Sequence, residues 1–420
     1  MIKLTLTQSI YALGPVGMAL VLPAIIGGDS SGVFLGYLAL SGLVAILLNL
    51  SFDGFIQREI LHRELNIAAR LIKNRLSITL FLAICTVLVA NFASPGFPVL
   101  APLLGATSVS IAVTTQGALR SSGRGGNFLQ FALASNVFIP VGLFCLAYIF
   151  RIDEPDLLFE CYTIAIALVS CAFLSILLRS IGSITKDLTP LRPFVLEGLA
   201  ILPHTIGLYV LLYSDRLSMT LLQRNAEVTE LARASIPSAA IFALIAIFVG
   251  PLTKSQFSEE KFFKNSRLLN RILFASSAIG LLAVAFIHAF LLLQSDWLAK
   301  TTGFSAEFLR LTAAYFFIPL ASISYSIVGS QIFMKRGGRW YGPLTVSIGF
   351  ACILISSLAF VYLGEELSVF PLFMGIGYSI LSLATLVRAN LIWGYKNNPM
   401  VALVILICVA QVVFWIASFK

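Results

Sequence analysis

The chain has 420 residues, 59% of them hydrophobic and 11% charged, with a mean hydropathy of +0.96 and a formal net charge of +9. Soluble globular domains run at about 45–50% apolar and about 25% charged residues, so a soluble fold of this length has nowhere to bury its apolar surface. Nor does the positive charge indicate nucleic acid, because the basic residues sit in short loops flanking apolar stretches, where the positive-inside rule expects them.

A hydrocarbon core about 30 Å thick takes roughly 20 helical residues to cross. Stretches of that length predict helices at 9–28, 33–56, 76–94, 97–119, 127–150 and 158–178. After a polar linker they continue at 196–216, 234–252, 272–293, 308–334, 342–363 and 369–392, with one more over 400–418. The segment from Ser9 to Gly28 reads as a first spanning helix, because one lysine precedes it and no small-residue cleavage site competes. The expected fold is an all-α polytopic membrane protein with 12 to 13 transmembrane helices.

With the N-terminus cytoplasmic, the inner loops hold Arg58, Arg63, Arg70, Lys73 and Arg75, then Arg120 and Arg124, and later Lys254, Lys261, Lys264, Arg267 and Arg271. The opposite side carries chiefly Arg151, Arg224 and Lys300, beside the acidic run Asp153, Glu154 and Asp156. This asymmetry sets the orientation.

Each half has a long basic loop after its second span, from Gln57 to Arg75 and from Thr253 to Arg271. Each also has a short glycine-basic loop after its fourth, RSSGRGG from Arg120 and KRGGR from Lys335. Either basic inner loops recur by chance, or the halves are parallel repeats with a cavity between them, as in alternating-access transporters. The repeat divides the chain into an N-terminal six-helix lobe (1–178), a cytoplasmic linker (179–193), a C-terminal six-helix lobe (194–392) and an additional helix (393–420). In the first long loop, Leu61, Leu65, Ala68 and Ile72 share a helical face, which predicts an amphipathic segment lying in the interface.

There is no Gly-rich phosphate loop ending in Lys-Ser or Lys-Thr, and the outer loops are too short to hold a catalytic domain. The six cysteines, Cys85, Cys145, Cys161, Cys171, Cys352 and Cys408, lie in apolar segments without metal-ligand spacing and read as small apolar packers. Neither an enzyme nor a cofactor is expected.

Chemistry is therefore sought among ionisable groups within the spans, each of which costs about 2.5–3.5 kcal/mol at a helix centre. Gly42, Ala45, Asn49, Asp53 and Gln57 recur on one face of the second span. Asp53 is either a solvated helix end, a partner for Arg58, or an ion-coupling group. In the seventh span Glu197, His204 and Asp215 fall on one face, a column able to relay protons or bind a coupling cation, with His204 as the switch. The bland reading puts Glu197 and Asp215 at the two interfaces and gives His204 a neighbouring hydrogen bond; His288 reads as structural. Stripes at Tyr315, Pro319, Ser322, Ser326 and Gly329, and at Tyr378, Ser382, Thr385 and Arg388, read first as close helix packing. Arg216, Arg388, Arg233, Arg310 and Arg120 stand near span ends, either snorkelling to headgroups or lining a path for an anion such as a pyrophosphate.

From Ser30 to Ile60 there is a short glycine-bearing turn, an aromatic-rich second span, an Asp-Gly-aromatic stretch and an arginine. From Leu202 to Leu222 an Asp-Arg pair, Asp215 and Arg216, precedes a hydrophobic run. These two stretches resemble the Wzx-type polysaccharide flippases of the superfamily that includes the MATE exporters. The chain departs from the pattern at LARASIPSAA, where a glycine-tyrosine is usual, and in its thirteenth span. The resemblance implies a MATE-like pair of lobes around a central cavity. It implies a flippase moving undecaprenyl-diphosphate-linked oligosaccharide across the bacterial inner membrane for O-antigen, capsule or exopolysaccharide. Its partners would be that lipid-linked substrate, membrane lipids, and polysaccharide polymerase and assembly proteins. Under that reading the arginines, with Asn49, line the substrate path, and Asp53, Glu197, His204 and Asp215 couple the cycle to an ion gradient. The alternatives are a cation-coupled exporter of small amphipathic molecules and a non-transporting scaffold of an assembly complex.

Overall fold

The computed structural model describes residues 2–49, 52–61, 63–93, 100–181, 192–241, 266–302, 304–329, 338–393 and 398–418. The regular structure there is helical throughout, and nine helices among the described residues are long and apolar enough to cross a membrane. The protein is an all-α, multi-pass membrane protein. Two compact units divide it: Met1–Tyr209 with Met219–Thr229, and Val210–Ser218 with Glu230–Lys420. The division falls later than the linker expected at 179–193, and the additional C-terminal helix belongs to the second unit.

The first unit comprises α1 (Ile2–Ile26), α2 (Gly28–Asn49), α3 (Phe52–Leu61), α4 (Leu65–Ala93), α5 (Leu100–Ser121), α6 (Gly125–Leu133), α7 (Ile139–Phe150), α8 (Pro155–Ile181) and most of α9 (Arg192–Leu212). A π-helical turn, Ala134–Phe138, joins α6 to α7. It lies just before Pro140, whose missing N–H and ring disfavour a regular ladder there. At the unit's centre α2 and α8 pack on α5. Small residues permit this: Ser41 donates to the Pro102 carbonyl at 2.9 Å, and a Cβ on Gly105 would stand 2.3 Å from Ser41 Oγ and 2.7 Å from Phe159 Cζ. In α2, a Cβ on Gly32 would lie 1.7 Å from the Asn225 carbonyl oxygen. The same stretch is tied down by Thr229, whose hydroxyl donates to the Gly28 carbonyl at 2.7 Å.

A core of Phe55, Ile56, Ile60, Leu119, Phe128 and Leu174 gathers α3, α5, α6 and α8, and it includes Ala68 and Ile72. This corrects one expectation. The segment after Leu61 does not lie alone in the interface: α4 begins at Leu65 and runs directly into the span, and Ala68 and Ile72 are fully buried by it. Their apolar face found protein before it found lipid. Large exposed side chains mark the opposite face of α4, where Leu80, Phe81, Ile84 and Leu88 recur at helical spacing, the composition of a lipid-facing surface.

The second unit holds the start of α10 (Ser214–Leu221), the end of α11 (Asn225–Ala234), α12 (Ser266–Thr302), α13 (Ala306–Tyr315), α14 (Phe317–Ser324), α15 (Gly338–Tyr362), α16 (Val369–Trp393) and α17 (Asn398–Ser418). The span expected over 234–252 lies outside the described residues beyond 241. Helix α16 is the hub, touching α13, α14, α15 and α17. The tenth span is not one regular helix. It breaks at Phe316, whose N–H turns to the Ala313 carbonyl at 3.1 Å, three residues ahead of Pro319, and it runs into a π-helical turn, Tyr325–Gly329, past which the expected span lies outside the described residues. Proline's missing donor accounts for the break. The expected thirteenth span is present as α17, packed on α12, α14 and α16.

Candidate functional site

In the first unit the ends of α2 and α3 present Asn49 and Asp53 to α4 and α5. Arg75, 2% exposed, places Nη1 2.8 Å from Asp53 Oδ1. Its Nη2 donates to the Ser110 carbonyl at 2.7 Å, to Ser110 Oγ at 3.1 Å and to the Asn49 amide oxygen. Asn49 is used at both ends: its Nδ2 donates to Asp53 Oδ2 at 2.9 Å, and its oxygen also accepts from Ser110 Oγ at 2.6 Å. An arginine buried to this degree is tolerable only when the carboxylate and neutral acceptors replace its lost hydration. Asn49 and Asp53, expected to share a face, do meet.

The expected partner Arg58 has a side chain outside the described residues, and the charge that neutralises Asp53 is Arg75. Spacing conceals it, because in the sequence Arg75 closes a basic stretch of the kind expected in a cytoplasmic loop. In fact it lies ten residues into α4, about 15 Å along the axis. Ser110 carried no signal in the sequence beyond its place in an apolar span.

In the second unit Asp215, 1% exposed, opens α10. Tyr315 Oη donates to its Oδ2 at 2.5 Å, and the backbone N–H of Arg216 donates to its Oδ1 at 2.7 Å. The Arg216 guanidinium donates to Ser235 Oγ at 2.7 Å and lies 5.2 Å from the centre of the Tyr213 ring. Arg233, half-buried, stands over Phe308 at 5.6 Å and Phe304 at 6.0 Å, and its Nε finds no acceptor among the described residues. Arg388 is half-buried on α16, one turn beyond Thr385, which accepts from Tyr341 Oη at 3.2 Å. Arg310 lines a cavity of about 260 Å³ at the end of the unit where α13 and α16 begin. Arg120, in the first unit, is exposed in the last turn of α5.

The column expected along the seventh span is divided. Helix α9 stops at Leu212 and a new helix starts at Ser214, so Asp215 lies on another helix and in the other unit from Glu197 and His204. Glu197 is exposed, whereas His204 is 4% exposed. The three do not form one face of one helix. Pro203, inside α9 one residue before His204, and the turn at Tyr213 defeat a register counted at a constant 3.6 residues.

The small-residue stripes do pack. Ser382 Oγ donates to the Ala321 carbonyl and accepts from the Tyr325 N–H at 3.3 Å, joining α16 to the tenth span, though Ser326 is exposed. His288 Nδ1 contacts its own helix at the Val284 carbonyl, 2.8 Å away, with the ring against Phe317. Of the cysteines, Cys352 is buried, but Cys145, Cys161 and Cys171 are exposed and do not pack inward. Among the described residues no three His, Cys, Asp or Glu side chains converge as a metal site.

No family model matches the chain, and neither does any curated protein. Solved structures do. A MATE in complex with MaL6 is 16% identical with a TM-score of 0.61, covering 93% of this chain and 95% of that one. An inward-facing multidrug resistance MATE family transporter of the MOP superfamily is 16% identical at 0.54, covering 91% and 94%. An outward-facing structure of a multidrug resistance MATE family transporter is 15% identical at 0.54, covering 93% and 94%. At these identities the likeness is one of fold, and the fold is that of MATE transporters along nearly the whole chain.

Proposed function

We propose that the chain is a bacterial inner-membrane flippase that moves diphosphate-linked oligosaccharide from the inner to the outer leaflet by alternating access. The observation that carries the transport reading is the fold, shared over more than nine-tenths of this chain with transporters solved facing inward and outward. A lipid-linked sugar needs such a protein, because its hydroxyls and diphosphate would lose water in the bilayer without replacement.

The choice of an anionic cargo is supported by the arginines of the second unit. Arg216 and Arg233 stand 17 residues apart on the α10–α11 segment, and Arg233 holds an Nε donor with no acceptor among the described residues, in an aromatic setting. Guanidinium groups meet phosphate oxygens through paired, charge-assisted hydrogen bonds. With Arg388 they are assigned to the diphosphate. Asp215 with Tyr315, and His204, are assigned to ion coupling. Asp53 is the weaker coupling group, because Arg75 already occupies it.

The rival reading is an exporter of small amphipathic molecules, supported by the multidrug resistance transporters that share the fold. Deleting the gene in its host and measuring lipid-linked glycans by mass spectrometry, together with surface polysaccharide, separates the two. Accumulated lipid-linked repeat units with lost surface polymer, both reversed by the intact gene, are expected. Unchanged glycans with new sensitivity to cationic dyes would replace the flippase by the exporter.

A further inference from the structure

Three helical runs are interrupted at single residues within the second unit. One interruption is Tyr213, between α9 and α10; another is Ser235, between α11 and the helix that resumes at 236; the third is Phe316, between α13 and α14. Proline accounts for two of them, since Pro237 follows Ser235 by two residues and Pro319 follows Phe316 by three. Tyr213 has no proline beside it, and there the cause is Asp215. The N–H of Arg216, which an unbroken helix would direct to the Leu212 carbonyl, donates instead to Asp215 Oδ1 at 2.7 Å, so a side chain competes with the helical ladder.

The three interruptions meet at two adjacent side chains. Asp215 Oδ2 accepts from Tyr315, the residue just before Phe316, at 2.5 Å. Arg216 reaches Ser235 Oγ at 2.7 Å, and that hydroxyl folds back on its own helix by donating to the Ala232 carbonyl at 2.9 Å. Sequence separation hides this convergence, because Tyr315 lies a hundred residues from Asp215.

The ties act in series. Asp215 is 1% exposed, so its charge depends on the donors around it. Its Oδ1 holds the backbone of Arg216, and that backbone sets where the guanidinium reaches. Loss of the Tyr315 hydroxyl leaves the carboxylate short of a donor. A carboxylate that turns to recover one shifts the Arg216 N–H, and with it the contact on Ser235.

We propose that Asp215 and Arg216 are the clasp of a three-way hinge in the second unit. Closed, the clasp fixes all three interruptions in one arrangement; open, it lets the helical segments on either side of each interruption swing. Hinges are a few element-terminal residues that absorb backbone rotation, and broken helices are where transporters place their moving parts. Alternating access needs such a motion whether the cargo is a glycan or a small amphipathic molecule, so the hinge does not depend on the flippase reading.

The test uses the full-length protein in lipid nanodiscs and hydrogen–deuterium exchange, read by mass spectrometry over peptides spanning 212–218, 232–238 and 313–320. Tyr315→Phe should speed exchange about tenfold in all three, the effect of one lost hydrogen bond transmitted to each interruption. Ser235→Ala, which removes the Arg216 contact at the other end of the clasp, should speed exchange at 313–320 as well. Tyr341→Phe breaks a hydrogen bond elsewhere in the unit, to Thr385, and should leave the three peptides unchanged. Motion is read separately, by electron-spin distance measurement between labelled unnatural amino acids at Glu307 on α13 and Ile405 on α17, both exposed. A second distance should appear or grow in Tyr315→Phe. Exchange that quickens only beside the substituted residue, or equally in Tyr341→Phe, would overturn the proposal. So would a distance distribution that Tyr315→Phe leaves unchanged, which would make the contacts a static brace.

Discussion

Arg75 and Asp53 form a buried ion pair, Nη1 to Oδ1 at 2.8 Å, between helices α4 and α3 of the first unit. The guanidinium is held further by Asn49 and Ser110, so neither charge is free to leave alone. Removing one partner strands the other in a low-dielectric interior, at a cost of about 3–5 kcal/mol, whereas removing both with apolar side chains of similar size is often neutral. Arg75→Met alone and Asp53→Leu alone should each lower the yield of monodisperse protein and its melting temperature. The double variant should recover most of the loss. Additive losses in the double variant would show that the two charges do not act as a pair.

Gly32→Ala should destabilise the first unit by about 1–3 kcal/mol, the range for overpacking a close-packed contact. Its Cβ would meet the Asn225 backbone carbonyl, which cannot rotate away. Gly142→Ala, with no atom within 4 Å of its Cβ, is the control and should melt unchanged or slightly higher. Thermal unfolding in one detergent compares them directly, and equal behaviour of the two would deny the close approach.

Tyr315→Phe removes the hydroxyl that donates to Asp215 at 2.5 Å. A hydrogen bond to a charged group contributes about 1.5–3 kcal/mol, so the variant should melt lower. In Asp215→Asn the same Tyr315→Phe change should cost clearly less. A double-mutant cycle with no coupling energy would mean that the two side chains do not act together.

Arg216→Ala with Arg388→Ala should abolish glycan export while protein levels remain normal. Arg233→Ala should weaken export more than Arg120→Ala, because Arg233 is half-buried among aromatics and Arg120 is exposed. Intact export in the double variant, measured as surface polysaccharide per cell, would remove the arginines from the substrate path.

Length and hydropathy alone determined that this is a multi-pass helical membrane protein. A span needs only some twenty apolar residues in a row, and the helix satisfies its own backbone within that stretch. Even the thirteenth span was legible on those terms, and so was the meeting of Asn49 with Asp53, four residues apart on one face.

The tertiary structure alone decided which buried charges meet. Asp53 pairs with a residue 22 positions away on another helix, and Asp215 with Tyr315 a hundred positions away. No periodicity within one helix encodes either pairing. The same holds for faces counted across an interruption: a column of Glu197, His204 and Asp215 needs one helix through Tyr213, where the helix stops, and the apolar face of Ala68 and Ile72 joins a core rather than the interface. Local pattern states which side of a helix is apolar. Whether lipid or protein covers it, and which partner neutralises a charge, depends on neighbours brought close only by folding.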